Sequence, residues 1–427
     1  MTHSIHDVGH RPAKSWTGFL SLSVLLGLVC LGLSPQAARS AEKEKQQISR
    51  VIAKEMTAAQ KAMQASQWAE AVKNLEAAET KPGLNAFDKK TIYDFKGFAY
   101  VRLNSLKSAQ QAYEQAIATG AYSAEDLAKT IRILFRVTAS TQQNAKAIEY
   151  GKQMAEGGSA TPDDLGILAQ LYYLQKDCKN SAIWSDKAAA AARKAGEAVK
   201  ENLYQFKLQC ASDAGDTGAM ATASMDLIRL TNKTNYWNTL LRIERQDERD
   251  DRNTLMIYRV MYNTNSMNAD TDYIEMAQLL ADAALPGEAQ AVLEKAIATP
   301  GVLKDEHKER TTRLLNSLKV RSEADRKGLA SLDAEASKNP AGELGVKLGE
   351  VYYGFGDYQK AVDAIGAGIL KGQVKHLDEA YVYLGLAEVQ LKNFAEAKRT
   401  FASLKLVPNI SPRVLRLWSL YADTVGR

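Results

Sequence analysis

A small residue returns along this 427-residue chain at nearly constant intervals, and that periodicity narrows its possible folds more than any other feature. Ala71, Ala109, Ala147, Ser181, Ala219, Asn253, Ala289, Gly328, Ala361 and Ala397 stand 38, 38, 34, 38, 34, 36, 39, 33 and 36 residues apart. A period in this range signals stacked supersecondary units, none of which buries both of its faces alone. Asn253 and Gly328 match the pattern least, and the regular rungs around them predict degenerate units there, not an inserted domain. Between rungs, apolar residues recur at i, i+3, i+4 and i+7 in blocks of 12 to 16, with no Val/Ile-rich alternation and no Asn-Gly hairpin signal. That pattern predicts helix after helix, two per unit.

The residue types at the rungs follow from packing. Two antiparallel helices approach closely only where small side chains meet, here Gly97, Ala169, Ala277, Gly349 and Gly385 against the rung alanines. Large side chains such as Tyr93, Tyr100, Leu165, Tyr172, Tyr273, Leu293, Tyr352, Tyr381 and Phe401 fill the gaps beside those crossings. Pro82, Pro162, Pro286, Pro300, Pro340, Pro408 and Pro412 all fall at expected unit edges or turns. Proline inside a helix costs about 3 kcal/mol, so these positions independently mark boundaries. Thr161-Pro162 and Ser411-Pro412 read as N-cap plus first helical proline, and Ser123-x-x-Asp126 resembles a capping box.

The clearest unit reads Tyr381-x-x-Leu384-Gly385, Ala397-x-x-x-Phe401, Pro408; the one before it has Leu348-Gly349-x-x-Tyr352, Gly356-Asp357-Tyr358, Ala361 and Ile365. These words resemble the tetratricopeptide repeat. The resemblance implies an all-α fold, a right-handed α-solenoid of about ten helix pairs over residues 48–410, with 411–427 as a capping helix.

Residues 1–40 have the layout of a secretory signal. Arg11 and Lys14 form a basic n-region, Phe19 to Leu33 is a 15-residue apolar run, and Ala38-Arg39-Ser40 offers a small-residue cleavage site. A bilayer span needs about 20 residues, so the run is short for one. An uncleaved inner-membrane anchor is the alternative, and Val29 disfavours Cys30 as a lipid acceptor. The reading places the mature chain in a bacterial periplasm, with 41–47 as a linker. Removing residues 1–40 changes the charge from +5 to (55−3)−(50−1) = +3, too weak and mixed for a nucleic-acid partner.

The sequence carries no recognisable catalytic motif. Beyond the leader only His307 and His376 remain, each read as a solvated surface residue, and no metal site or cofactor is expected. CxxC, HExxH, GxSxG, GxxxxGK[ST] and GxGxxG arrangements are all missing. The repeats consume the mature chain, so a non-enzymatic protein is expected, with a repeat-bearing envelope enzyme as a remote alternative. The run Arg242-Ile-Glu-Arg-Gln-Asp-Glu-Arg-Asp-Asp-Arg252 alternates in sign and reads as a solvated helix end and turn. Cys178 and Cys210 fall where two neighbouring antiparallel helices meet, which makes a disulfide feasible in an oxidising compartment; two buried free thiols are the alternative.

In tetratricopeptide proteins the first helix of each pair lines a concave groove. Carried onto this chain, that implies a ligand surface of Phe95, Phe98, Arg102, Gln170, Tyr173, Tyr204, Gln205, Asn238, Arg242, Arg245, Gln278, Tyr353 and Tyr383. Such aromatics, amides and arginines suit a protein or peptide partner. The Lys/Asn clamp of chaperone-associated members is missing, since Glu275 and Asp282 occupy the corresponding face of unit seven. Tyr236-Trp237, Tyr273-x-x-Met276-Ala277-Gln278-Leu279-Leu280 and Ala289-x-x-x-Leu293-Glu294-Lys295-Ala296-Ile297 are similar to secreted tetratricopeptide proteins that accompany TonB-type energy-transduction systems. That similarity, over residues 235–405, implies a scaffold assisting TonB-dependent transport. A cell-envelope assembly, secretion or polysaccharide-export factor is the alternative, and the sequence leaves the oligomeric state open.

Overall fold

A computed structural model describes residues 47–427 apart from Asp247; the expected signal segment lies outside the described residues. Among the described residues there are twenty α-helices and no strand. None of the helices is long and apolar enough to cross a membrane. Helices α1 (Ala53–Gln64) through α14 (Pro286–Ala298) form seven consecutive pairs. A single helix follows, α15 (Asp305–Lys338), and then the pairs α16 (Glu343–Gly354) with α17 (Tyr358–Lys371) and α18 (Leu377–Gln390) with α19 (Phe394–Ser403). The chain ends in α20 (Pro412–Thr424). The fold is an all-α array of tetratricopeptide-like helix pairs.

The rungs mark one repeated turn. In eight pairs a left-handed residue sits four or five positions before the marker: Ser66, Asn104, Gln142, Lys176, Gly215, Ala284, Gly356 and Lys392. The next residue's N–H donates to a carbonyl five residues back, as Ser105 does to Tyr100 and Asn393 to Glu388. That bond satisfies a carbonyl left open at the first helix's end, and the left-handed residue reverses the chain.

The small–large rule holds in three dimensions, with one inversion. A Cβ on Gly97 would lie 2.7 Å from the Tyr113 ring, and one on Gly385 would lie 2.6 Å from Phe401. In the third pair the roles exchange: Phe135 occupies the first helix, and a Cβ on Gly151 of the second would meet its ring at 2.9 Å. The crossing needs one small partner, on either helix.

The expectation at Gly328 is corrected. It begins no second helix, because α15 runs unbroken for 34 residues, about 51 Å at 1.5 Å per residue. Gly328 is the only glycine in that span and proline is absent from it, so no turn chemistry interrupts the helix. Arg313–Glu309 at 3.2 Å and Lys327–Glu323 at 2.9 Å add i,i+4 support on its exposed side. Its C-terminal carbonyls are capped from outside: Lys371 Nζ donates to Ala336, Ser337 and Asn339 at 2.9, 3.2 and 3.0 Å. Nine pairs and one long helix thus stand where ten pairs were expected.

Nor does α20 simply cap the end. It packs on α19 and also on α10 (Thr217–Thr231) and α12 (Asp251–Asn263), so the chain from α10 to α20 closes into a ring. The earlier helices do not return on themselves. Their apolar interior is also divided: Ile52, Met56, Ala59, Leu75, Ala78 and Ile92 form a small separate core, whereas the main core runs from Ile131 to Val425.

Candidate binding surface

Consecutive first helices touch one another, α7 (Pro162–Leu174) with α9 (Glu201–Asp213) and α16 with α18, and so make one layer of the array. In the C-terminal part that layer is occupied from within. Every residue of α12 from Thr254 to Met261 is buried. Arg259 of α12 pairs with Glu288 of α14 at 3.3 Å, and the Tyr383 hydroxyl donates to Glu288 at 2.6 Å while accepting from Arg259. Burial alone would lower the pKa of the guanidinium, but the adjacent Glu288 carboxylate outweighs it and holds the pKa above its ordinary value. Arg252 reaches Asp378 at 3.2 Å and Glu379 at 2.5 Å on α18. Tyr353 packs edge-on against Tyr383 with ring centres 5.2 Å apart.

Several expected groove residues are therefore structural. Tyr353 and Tyr383 are buried around α12 and cannot line an open surface. Tyr204 is buried as well, its hydroxyl accepting from Arg193 at 2.6 Å. Phe98 packs edge-on against Trp68, Arg102 lies 5.0 Å over the same ring, and half-buried Phe95 packs on the small core. Arg245 is held by Glu275 at 3.0 Å and by the Tyr258 hydroxyl. Gln278 is exposed on α13 (Asp270–Asp282), apart from the others.

What remains accessible lies on α7, α9 and α11 (Thr234–Gln246). Gln170, Gln205 and Arg242 are exposed there. Tyr173 stacks on Phe206 with centres 4.9 Å apart, beside Leu174, which is 57% exposed. Gln205 Nε2 donates to the Tyr236 hydroxyl at 2.8 Å, leaving its carbonyl oxygen to the surface. The Asn238 Oδ1 is shielded and has no hydrogen-bond partner. Residue types did not single out Phe206 and Leu174; their i+33 and i+1 relation to Tyr173 was the available signal. An apolar shelf with exposed amides beside it can hold an extended chain by its backbone and one large side chain.

A covalent link underlies this surface. Cys178 and Cys210 form a disulfide across 5.6 Å between Cα atoms, tying α8 (Cys178–Lys194) to α9 one turn beyond Phe206. Ion pairs tie the neighbouring units. Asp164, the capping-box partner of Thr161 on α7, receives Arg132 at 3.2 Å and Arg136 at 2.9 Å from α5 (Ala124–Ser140). Burial acts to raise the Asp164 pKa, but the bonds from Thr161 and Arg136 win and hold it below the usual carboxylate range. Glu201 accepts from Lys233 at 2.7 Å and from Tyr236 at 2.5 Å, with the same net lowering against its burial.

Two further expectations change. His307 is not a free surface residue, since its Nδ1 lies 2.7 Å from the buried Asp270 carboxylate. The alternating run at 242–252 is not a solvated turn: Glu244, Glu248 and Arg252 are where the ring closes.

The sequence matches no protein-family model and no curated protein. Similar solved structures include a tetratricopeptide repeat protein from Parabacteroides merdae, 12% identical over 63% of this chain and 99% of that one, with a TM-score of 0.33. The C-terminal part of a TPR repeat-containing protein from Cytophaga hutchinsonii is 12% identical over 61% and 93%, with a TM-score of 0.34. The TPR2AB domain of yeast Sti1, solved as a pHSP90 complex, is 14% identical over 63% and 98%, with a TM-score of 0.33. The fold assignment rests on the chain's own helix pairs.

Proposed function

We propose that this protein is a non-enzymatic scaffold of the bacterial periplasm that holds an extended segment of a partner protein on α7, α9 and α11. The observation that carries the reading is the stacked Tyr173–Phe206 pair with exposed Leu174, flanked by exposed Gln170 and Gln205. A solvent-facing apolar and aromatic shelf set among amides fits a peptide backbone with a large side chain better than it fits a small charged ligand. Export is proposed from the basic, apolar and small-residue order of residues 1–40.

The partner proposed is the periplasmic machinery of TonB-dependent transport, on the sequence words at 236–237, 273–280 and 289–297. Of these, Trp237, Tyr273, Met276 and Leu293 are buried core, so the proposal draws its support from the words as sequence, not from an exposed site. The experiment is capture from envelope extract, with the full chain and its Gln170→Ala/Gln205→Ala/Arg242→Ala variant as baits, followed by mass spectrometry. Recovery of TonB or its motor proteins by the unaltered chain, lost with the variant, is expected. Equal capture by both baits overturns the surface; recovery of an export channel in place of the motor overturns the partner.

A further inference from the structure

The ring closes through α20, and that closure is less complete than the helix pairs it joins. Val414, Leu417, Trp418 and Tyr421 of α20 are buried, with α10, α12 and α19 as the neighbouring helices. Trp418 stacks on Phe401 with centres 5.3 Å apart. On the polar side, Arg413 reaches Glu244 and Glu248 of the α11 end at 3.1 Å each, and Arg416 reaches Glu244 at 2.6 Å. These partners lie 165 and 172 residues away in sequence, and the Glu244 side chain is only 5% exposed. Asp423 lies 3.6 Å from Arg229, and Arg427 donates to the Arg229 carbonyl at 2.7 Å.

One polar atom at this seam is left unsatisfied. Trp418 Nε1 is buried without a hydrogen-bond partner. An unmade bond at a buried polar group costs more than a made one returns, so it weakens the docked state. The connection is short and separable: Val407 to Ser411 includes Pro408 and left-handed Asn409, and no helix pair depends on it. A terminal helix so attached can open without unfolding the array.

We propose that α20 is a displaceable latch, and that its seat is a docking site for a partner's amphipathic helix. The seat defines that helix: two cations one turn apart for Glu244 and Glu248, and an aromatic side chain for the slot beside Phe401. This docking site is separate from the α7–α11 surface and stands without it.

The test uses a fluorescent peptide of residues 411–427 as the probe. It is added to the full chain and to a full-length Arg413→Glu/Trp418→Ala variant, in which the resident helix is weakened. The variant is expected to bind the probe at least tenfold more tightly than the unaltered chain, and adding Glu244→Lys is expected to abolish that binding. Equal binding by variant and unaltered chain overturns the proposal. Hydrogen exchange on the unaltered chain gives a reading free of mutation. Amides of α20 are expected to exchange at least tenfold faster than those of α12, and exchange of both helices at one rate overturns the latch.

Discussion

The two parts of this molecule solve the same stacking problem in opposite ways. From α1 to α9 polar bonds between units supplement the apolar packing: Gln143 donates to Gln110 at 2.6 Å, Glu114 accepts from Lys146 at 3.0 Å and Tyr150 at 3.2 Å, and Asp164 gathers two arginines. From α10 to α20 the units surround one of their own helices, and their ties include the buried Arg259–Glu288 pair and ion pairs from Arg252 and Arg413 that span more than a hundred residues of sequence. The first arrangement leaves faces free and junctions adjustable. The second uses the inner face up. An open array and a self-bound array can therefore be built from one repeat, and the difference lies in whether a helix of the chain itself enters the concave side.

That contrast is broken most severely at Arg259. Arg259→Ala leaves Glu288 and Tyr383 buried without their cation, and a loss of about 3–5 kcal/mol is expected from guanidinium unfolding; Arg136→Ala, whose side chain is 40% exposed, should cost far less. Equal losses would mean the two parts do not differ as described. Removing the disulfide with Cys178→Ser/Cys210→Ser is expected to cost roughly 3–4 kcal/mol for its 32-residue separation in the chain-entropy model. The melting curve of that variant should show the α7–α9 region loosening while the ring keeps its transition. Next come the crossings: Gly385→Ala and Gly151→Ala each push a Cβ into an aromatic ring, and about 1–3 kcal/mol is expected for either. A neutral Gly151→Ala would show that the inverted crossing of unit three is not close-packed.

Acid should loosen the polar seams of the first part without mutation. Asp164, Glu201 and Glu114 have folded pKa values held below their unfolded ones, despite the opposing effect of burial, by local bonds from Thr161 and Gln110 together with bonds from Arg136, Lys146, Tyr150, Lys233 and Tyr236 of neighbouring units. Their stabilisation is present above the unfolded carboxylate pKa of about 4 and is lost as pH falls through the lowered folded values. Hydrogen exchange between pH 5 and 3 is expected to rise from α4 (Leu106–Ala118) to α9; unchanged exchange there would contradict the polar-seam account. The smallest expected effect is at the turns. Gln142→Gly relieves a left-handed side chain at φ 57° and should stabilise by about 0.5 kcal/mol, measurable as a shift in denaturation midpoint.

Local rules made much of this legible in the sequence. The rung alanines, the prolines between helices and the caps at Thr161 and Ser123 follow from chain neighbours, and the structure places each at the boundary its chemistry predicts. Gly328 misled because a period was extended through a segment with no turn-forming residue. The site was less legible, for one physical reason. Whether Tyr383 faces solvent depends on Arg259, 124 residues earlier, and nothing within a unit reports that α12 will enter the array. The charge run at 242–252 held the missing information, since its carboxylates and Arg252 pair with α18 and α20, but alternating charge reads alike on a free helix end and on a closing seam.

Closure also bears on how such a chain can change length over generations. An open array gains or loses a repeat by duplication or deletion, because a new unit needs only two compatible neighbours. The stretch before α10 keeps that freedom, and an extra pair inserted near Gly120 would displace only what precedes it. A pair inserted between α13 and α18 would carry Glu379 away from Arg252 and Tyr383 away from Arg259, and α20 would no longer reach Glu244. The number of helices in the ring is thereby fixed, while the number of units in the open stretch is free to vary.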